Sequence, residues 1–389
     1  MTPLSPEQAR DYLVGSSGLR AVQHPRGRAG VRALLDARRC IQLDPLDTIG
    51  TNADLVALAR VDGIKKGDVY RHLLPGAAFE HFAKERCLIP AARFGVWRSG
   101  AHATPWWRTS ERMRKLPPGV LDAVEAEVRS RGPIALHDLQ SRGRTAPMDW
   151  SGWKGTPKVA KLAAETLWRQ CRIVVCGRTA RGKIVDVPDR ALAHVVDLPH
   201  DHNFDRTVLL DRVEAAGLLA ETSGPHWSML YDVRGGPLPE QLIAEGLLER
   251  VTITGGRRTY LAPAGFRDRG FPADDGRMRI LGPLDPMIWD RKLVEHVFGF
   301  RYVWEVYKPA AKRTYGWYVV PLLHDGRLVG RMEAHVEGGE VVVDTRWLED
   351  GAAFDEDAYA AAIRRHAEAV AGLGRAHKSS ATAQPCTPR

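Results

Sequence analysis

At 389 residues the chain is longer than one hydrophobic core usually serves, so two to four small domains are expected. Its 44% hydrophobic and 26% charged residues describe a globular chain, and the net charge of +9 favours an anionic partner, nucleic acid first. No apolar run approaches the ~18 residues of a membrane span, and the opening "MTPLSPEQARDYLV" has no secretory pattern, so a cytoplasmic protein without a membrane partner is expected.

In chain order, "SPEQARDYLV" places Ser5 and Gln8 at capping-box spacing, which predicts a first helix, and a second covers about Arg28 to Arg39. "IQLDPL" follows. Pro45 pushes the residue before it out of the α region, so the segment is extended and its side chains alternate. Ile41 and Leu43 then face a core, while Gln42 and Asp44 point the same way and could hold a water. The competing reading makes Asp44 an N-cap with Pro45 at the first helical position, as could also hold for the second "LDP" at Leu284, Asp285 and Pro286.

A new unit begins near "GVLDAVEAEVRSRGPIALHDL" and continues through the amphipathic "PKVAKLAAETLWRQ" into "CRIVVCGRTARGKIVDVPDR", two apolar strands joined by a Gly and Arg turn. Helix, helix and hairpin with a basic tip is the pattern of a winged helix. It returns loosely in "RTVLLDRVEAAGL", "LPEQLIAEGLLER" and "VTITGGRRTYLAP". Such units dock on DNA with a helix in the groove and the wing on phosphate, here Arg178, Arg181 and Lys183, although wings also serve protein contacts.

From about Met278 the texture changes to alternating strands, "YVWEVYK", "YGWYVVPLLH", "RLVGRMEAHV" and "EVVVDTRWL", which predict a small antiparallel barrel or curled sheet. In the loop "KPAAKR", Lys308, Lys312 and Arg313 either grip phosphate or solvate a turn. A helix follows from about Asp355 to Gly372, and the tail "RAHKSSATAQPCTPR" is too polar to fold. The five cysteines, Cys40, Cys87, Cys171, Cys176 and Cys386, lack paired metal spacing and read as reduced thiols, with no zinc site and no cofactor expected.

Several stretches together carry a family resemblance: "CIQLDPLDTI", "FEHFAKERCLIP", "PKVAKLAAETLWRQCRIVVCGR" and above all "LGPLDPMIWDRKLVEHVFGFRYVWEVYKPAAKRTYGWYVVPLLHDGRLVGR". They resemble the AlkZ and YcaQ type of interstrand-crosslink DNA glycosylase over nearly the whole chain except the tail. The resemblance implies an α+β chain of three tandem winged-helix domains and a C-terminal β-barrel, wrapped around duplex DNA. The boundaries would be 1–117, 118–198 and 199–275 for the winged helices, 276–350 for the barrel, 351–374 for a helix and 375–389 for a disordered tail. It also implies that Gln42 and Asp44 are the catalytic Gln-apolar-Asp motif. One position departs: where relatives similar to YcaQ read Trp-Ala-His-Glu, this chain has Phe82, Ala83, Lys84 and Glu85, so Lys84 and Glu85 become candidate neighbours of the site.

The chemistry suits those residues. A 7-alkylguanine is cationic and leaves as a neutral base, so the help is needed at the sugar. As the glycosidic bond stretches, a carboxylate stabilises the positive charge that develops there and can deprotonate the attacking water. Asp44 is expected in that role, held ionised by basic neighbours, and Gln42 is expected to hold the water. No Schiff base is required, which predicts a monofunctional glycosylase; a monomer acting at the nucleoid on duplex DNA with alkylated or crosslinked guanine is also expected. The rival reading is a winged-helix regulator without catalysis, for which a carboxylate aimed at DNA would be a liability. A nuclease would need clustered carboxylates for metal ions, and neither "DEDAY" nor "DPMIWDR" has a partner that can be placed.

Overall fold

The computed structural model describes residues 3–100, 113–145, 157–179, 181–370 and 383–385. The chain divides into two units, one of Met1–Val69, Lys84–Cys87 and Leu209–Arg389, the other of Tyr70–Ala83 and Leu88–Val208. The fold is mixed α+β with small sheets.

In the first unit, the opening helix runs Pro6–Ser16 and carries the full capping box, Ser5 Oγ accepting from Gln8 N while Gln8 returns the bond to the Ser5 amide. The second helix, Gly27–Arg38, ends at Arg39 with φ 62°. A third, Asn52–Leu58, starts from a second capping box, Thr51 with Asp54. Farther along, helix Phe204–Ala216, which belongs to this unit from Leu209 on, and helix Leu238–Ala244 are followed by strands Leu248–Thr252 and Thr259–Pro263, which pair antiparallel beside Leu219–Ala220. The apolar faces of Pro6–Ser16 and of helix Arg291–Phe298 meet in one core with Tyr260, Met287 and Phe300.

A larger sheet orders its strands Arg279–Ile280, Val319–His324, Arg327–Glu337 and Glu340–Leu348, all antiparallel neighbours, then Ala383–Pro385 in parallel with Arg346–Leu348. Among the described residues the sheet stays open at both edges. Helix Glu356–Val370 packs Ile363 and Tyr359 onto it, and Ile49 and Leu55 share that core. Except for those three strand residues, the tail expected to be disordered, 375–389, lies outside the described residues.

One expected strand does not form. "YVWEVYK" is irregular backbone, because the Glu305 carboxylate, 2% exposed, accepts the amides of Thr314 and Tyr315 and an ion pair from Lys308. Those local bonds replace a ladder and tie the segment into a loop.

In the second unit, helices Val120–Arg131 and Val159–Arg169 accompany the hairpin Val174–Thr179 and Gly182–Asp186, whose second strand also pairs with Ile134–Ala135. Phe79, Phe94 and Trp97 form its edge-to-face aromatic centre. No helix among the described residues is long and apolar enough to cross a membrane.

Candidate active site

The left-handed Arg39 stops its helix, so the chain enters Ile41–Gln42 extended. Leu43 N then bonds Arg86 O at 2.8 Å, which holds this strand against the segment Lys84–Cys87. The expected alternation is incomplete. Ile41 is buried, but so is Gln42, at 5% exposure, while Leu43 and Asp44 are both half-buried.

Gln42 is held at both ends. Asn52, at the first position of its helix and fully buried, donates Nδ2 to the Gln42 carbonyl at 2.8 Å. The Asn52 Oδ1 accepts the amide of Leu284 at 3.0 Å, so one side chain joins the motif to the start of the second "LDP". Gly282 makes this approach possible, since a Cβ there would lie 2.5 Å from Asn52 Oδ1. At the other end, Lys84 Nζ donates to Gln42 Oε1 at 2.9 Å.

The two "LDP" sequences behave differently. Asp285 caps a short 3-10 helix through Met287 N and forms a bidentate ion pair with Arg60, at 2.7 and 2.9 Å, with both side chains 0% exposed. No helix begins at Pro45. Among the described residues the Asp44 carboxylate accepts only the Leu46 amide two residues on, through Oδ1 at 2.9 Å, a local turn that leaves the second oxygen without such a bond. Burial raises the Asp44 pKa from 3.8 and the Leu46 amide opposes that rise. These two effects, and not the basic neighbours expected from the sequence, set its ionisation.

Lys84 is buried at 5% exposure with its Nζ 5.0 Å above the Trp289 ring. Desolvation, then the nearby Arg212, lowers its pKa from 10.5 to about 8. Glu85 turns the chain with φ 57°, a conformation rare for a side-chain-bearing residue, and its carboxylate takes the hydroxyl of Ser228. That turn sends Lys84 inward and leaves Glu85 exposed. Beside the same Trp289 ring stands the Arg212 guanidinium, 5.8 Å from its centroid, donating to the carbonyls of His226 and Ser228. Tyr318 lies in the field of Asp44, Asp47 and Asp54, and its buried hydroxyl has no hydrogen-bond partner among the described residues.

Asn52, Trp289 and Arg212 were not singled out from the sequence. The only local signal at Asn52 was the Thr51 and Asp54 capping box, which marks a helix start and nothing more. Trp289 and Arg212 lie far from the motif in the chain.

The basic clusters are not uniformly free. Within the second unit, Arg178 and Lys183 both pair with Glu80, which is 0% exposed, while Arg181 sits exposed at the hairpin turn. In the first, Lys308 pairs with Glu305 at 2.7 Å and Arg313 Nε donates to the Lys308 carbonyl, whereas Lys312 projects from the surface. The four described cysteines, Cys40, Cys87, Cys171 and Cys176, are buried thiols.

The family model described as DNA glycosylase AlkZ-like matches residues 9–372. Among solved structures, the Streptomyces sahachiroi DNA glycosylase AlkZ is similar with a TM-score of 0.63 at 14% identity, over 99% of this chain and 100% of that one. At that identity the structural likeness speaks for the fold, while the family match covers Gln42 and Asp44, the Lys84 segment and the C-terminal sheet from Arg279 to Leu348.

Proposed function

The chain belongs to the AlkZ-like DNA glycosylase family, and from that premise we propose that it hydrolyses the N-glycosidic bond of cationic N7-alkylguanine in duplex DNA, including guanines bridged by interstrand crosslinks. The observation that carries this reading is the grip on Gln42, by Asn52 at its carbonyl and Lys84 at its amide, two residues before a half-buried carboxylate with one oxygen unbonded among the described residues. A glutamine held so firmly has a positional role, and the neighbouring carboxylate has the charge that its partner lacks.

In this mechanism Asp44 takes a proton from water and faces the sugar as positive charge develops on it. The electron pair of the breaking C1′–N9 bond neutralises the departing cationic base, so no general acid is needed on that side. Because Lys84 is buried and its amine is engaged with Gln42, it is a poor candidate for attack on the sugar, which supports a monofunctional enzyme. The helix-and-hairpin units are read as winged helices and the open C-terminal sheet as the counterpart of a barrel, with domain limits at 117, 198, 275 and 350. Phosphate contacts are assigned to Arg178, Arg181, Lys183, Lys308, Lys312 and Arg313, most directly to Arg181 and Lys312, which project outward. The enzyme would work as a monomer at the nucleoid in the cytoplasm, without a cofactor.

The test is incubation with duplex carrying one 7-methylguanine or one N7-bridged crosslink, followed by alkali. Strand breakage only after alkali is expected. A nick before alkali would mean lyase chemistry, and no breakage on either substrate would overturn the assignment.

A further inference from the structure

We propose that Lys84 is a positioning residue that fixes the terminal amide of Gln42, so that the Nε2 group, and not the carbonyl oxygen, is presented to the attacking water; this rests on the glycosylase reading of Gln42 and Asp44.

A glutamine amide has two nearly isosteric ends, and only its hydrogen-bond partners decide which end faces which way. An amine of lysine in its ammonium form has donors alone. Its 2.9 Å contact therefore requires Oε1 on the Lys84 side and places Nε2 on the other arm of the planar group. The main chain of Gln42 is already fixed through Asn52, so the terminal torsion is the freedom that remains, and Lys84 removes it. Lys84 is itself confined. It is buried, its Nζ rests above Trp289, and the left-handed turn at Glu85, tied to Ser228, fixes the backbone from which it projects.

The orientation matters to the reaction. A water receiving an N–H from Gln42 uses one lone pair for that bond and donates one proton to Asp44. The other lone pair remains for C1′. As the C1′–O bond forms, the proton passes to Asp44 and the electrons of C1′–N9 leave with the base. If the amide were reversed, its oxygen would accept the second water proton, and the water would lose the N–H bond that fixes where its lone pairs point.

The experiment is a double-mutant cycle on single-turnover excision from 7-methylguanine duplex, with 15N and 1H resonances of the Gln42 side-chain amide recorded in the same proteins. Lys84→Met should slow excision about 10-fold or more and move the Gln42 amide resonances, and Lys84→Arg, which keeps a donor, should recover part of the rate. In a Gln42→Ala background, Lys84→Met should cost nothing further. Full additivity of the two losses, or an amide resonance indifferent to Lys84→Met, would overturn the inference. If the wild-type protein excises nothing, the glycosylase assignment falls, and the resonances still decide whether Lys84 holds Gln42.

Discussion

Lys84 Nζ and Gln42 Oε1 stand 2.9 Å apart inside a site where neither side chain is more than 5% exposed. Burying an ammonium so that it can orient an amide is costly to the fold. The Lys84 pKa falls from 10.5 to about 8, which at 1.36 kcal/mol per unit is a penalty of about 3 kcal/mol in order of magnitude. Below pH 8 both folded and unfolded chains carry the proton and the full penalty applies. Between about 8 and 10.5 the unfolded chain binds more protons, so stability rises with pH. Lys84→Met should therefore be more stable than the wild type at pH 7, lack that rise, and yet excise more slowly. Denaturant midpoints across this range check it, and a variant less stable at pH 7 would contradict it.

The rate should follow two ionisations. In the proposed mechanism Asp44 works as a carboxylate, and its pKa is raised by burial, so excision should decline as pH falls at values above the ordinary carboxylate range. A second decline is expected as pH rises through about 8, when Lys84 loses its proton and its nitrogen can accept from the Gln42 amide as well as donate to it, so the amide is no longer fixed one way. Arg212, Arg291, Glu85 and Cys87 also act on Lys84, but desolvation is the largest influence on it. Single-turnover rates in Lys84→Met should keep the lower limb and lose the upper. An unchanged upper limb in that variant would assign it to another group.

The two "LDP" motifs should separate function from stability. Asp285→Asn breaks one half of a fully buried ion pair with Arg60 and should destabilise the protein by about 3–5 kcal/mol. Asp44→Asn, at a half-buried position with one local amide bond, should leave the denaturant midpoint within about 1 kcal/mol of wild type. Equal destabilisation by the two would mean that Asp44 is structural.

Among the basic residues, the outward ones should govern DNA affinity. Neutralising Arg181 or Lys312 should weaken binding to damaged and undamaged duplex alike and flatten the log–log salt dependence by about 0.9 for each phosphate that is no longer neutralised. Removing Arg178 or Lys183 instead deprives the buried Glu80 of part of its compensation, so thermal stability should respond first. Salt titrations unchanged for Arg181→Gln and Lys312→Gln would remove both from the DNA surface.

These contrasts show how far the sequence could be read. Features written within a few residues were legible: the Ser5 and Gln8 box, the Val174–Asp186 hairpin and the strands from Val319 to Leu348. Gln42 and Asp44 stood out through their family motif. What was hidden depends on partners distant in the chain. Asp44 and Asp285 have the same flanking residues, and only Arg60 and the helix start at Pro286 distinguish the second. Lys84 meets Gln42 across 42 residues, and no periodicity reports that pairing. The "YVWEVYK" stretch misled because alternation records which side chains are buried, whereas the backbone bonds there are taken by the Glu305 side chain.

The central claim is that the Asp44 carboxylate drives base loss, and its most direct measurement compares wild type with Asp44→Asn in single-turnover release of 7-methylguanine from a saturated duplex. The substitution keeps size and removes the charge that faces the developing sugar cation. Loss of ~2 to 4 kcal/mol of transition-state stabilisation predicts a rate ~30- to 1000-fold lower, with DNA affinity retained. An Asp44→Asn protein that releases the base at the wild-type rate would contradict the account.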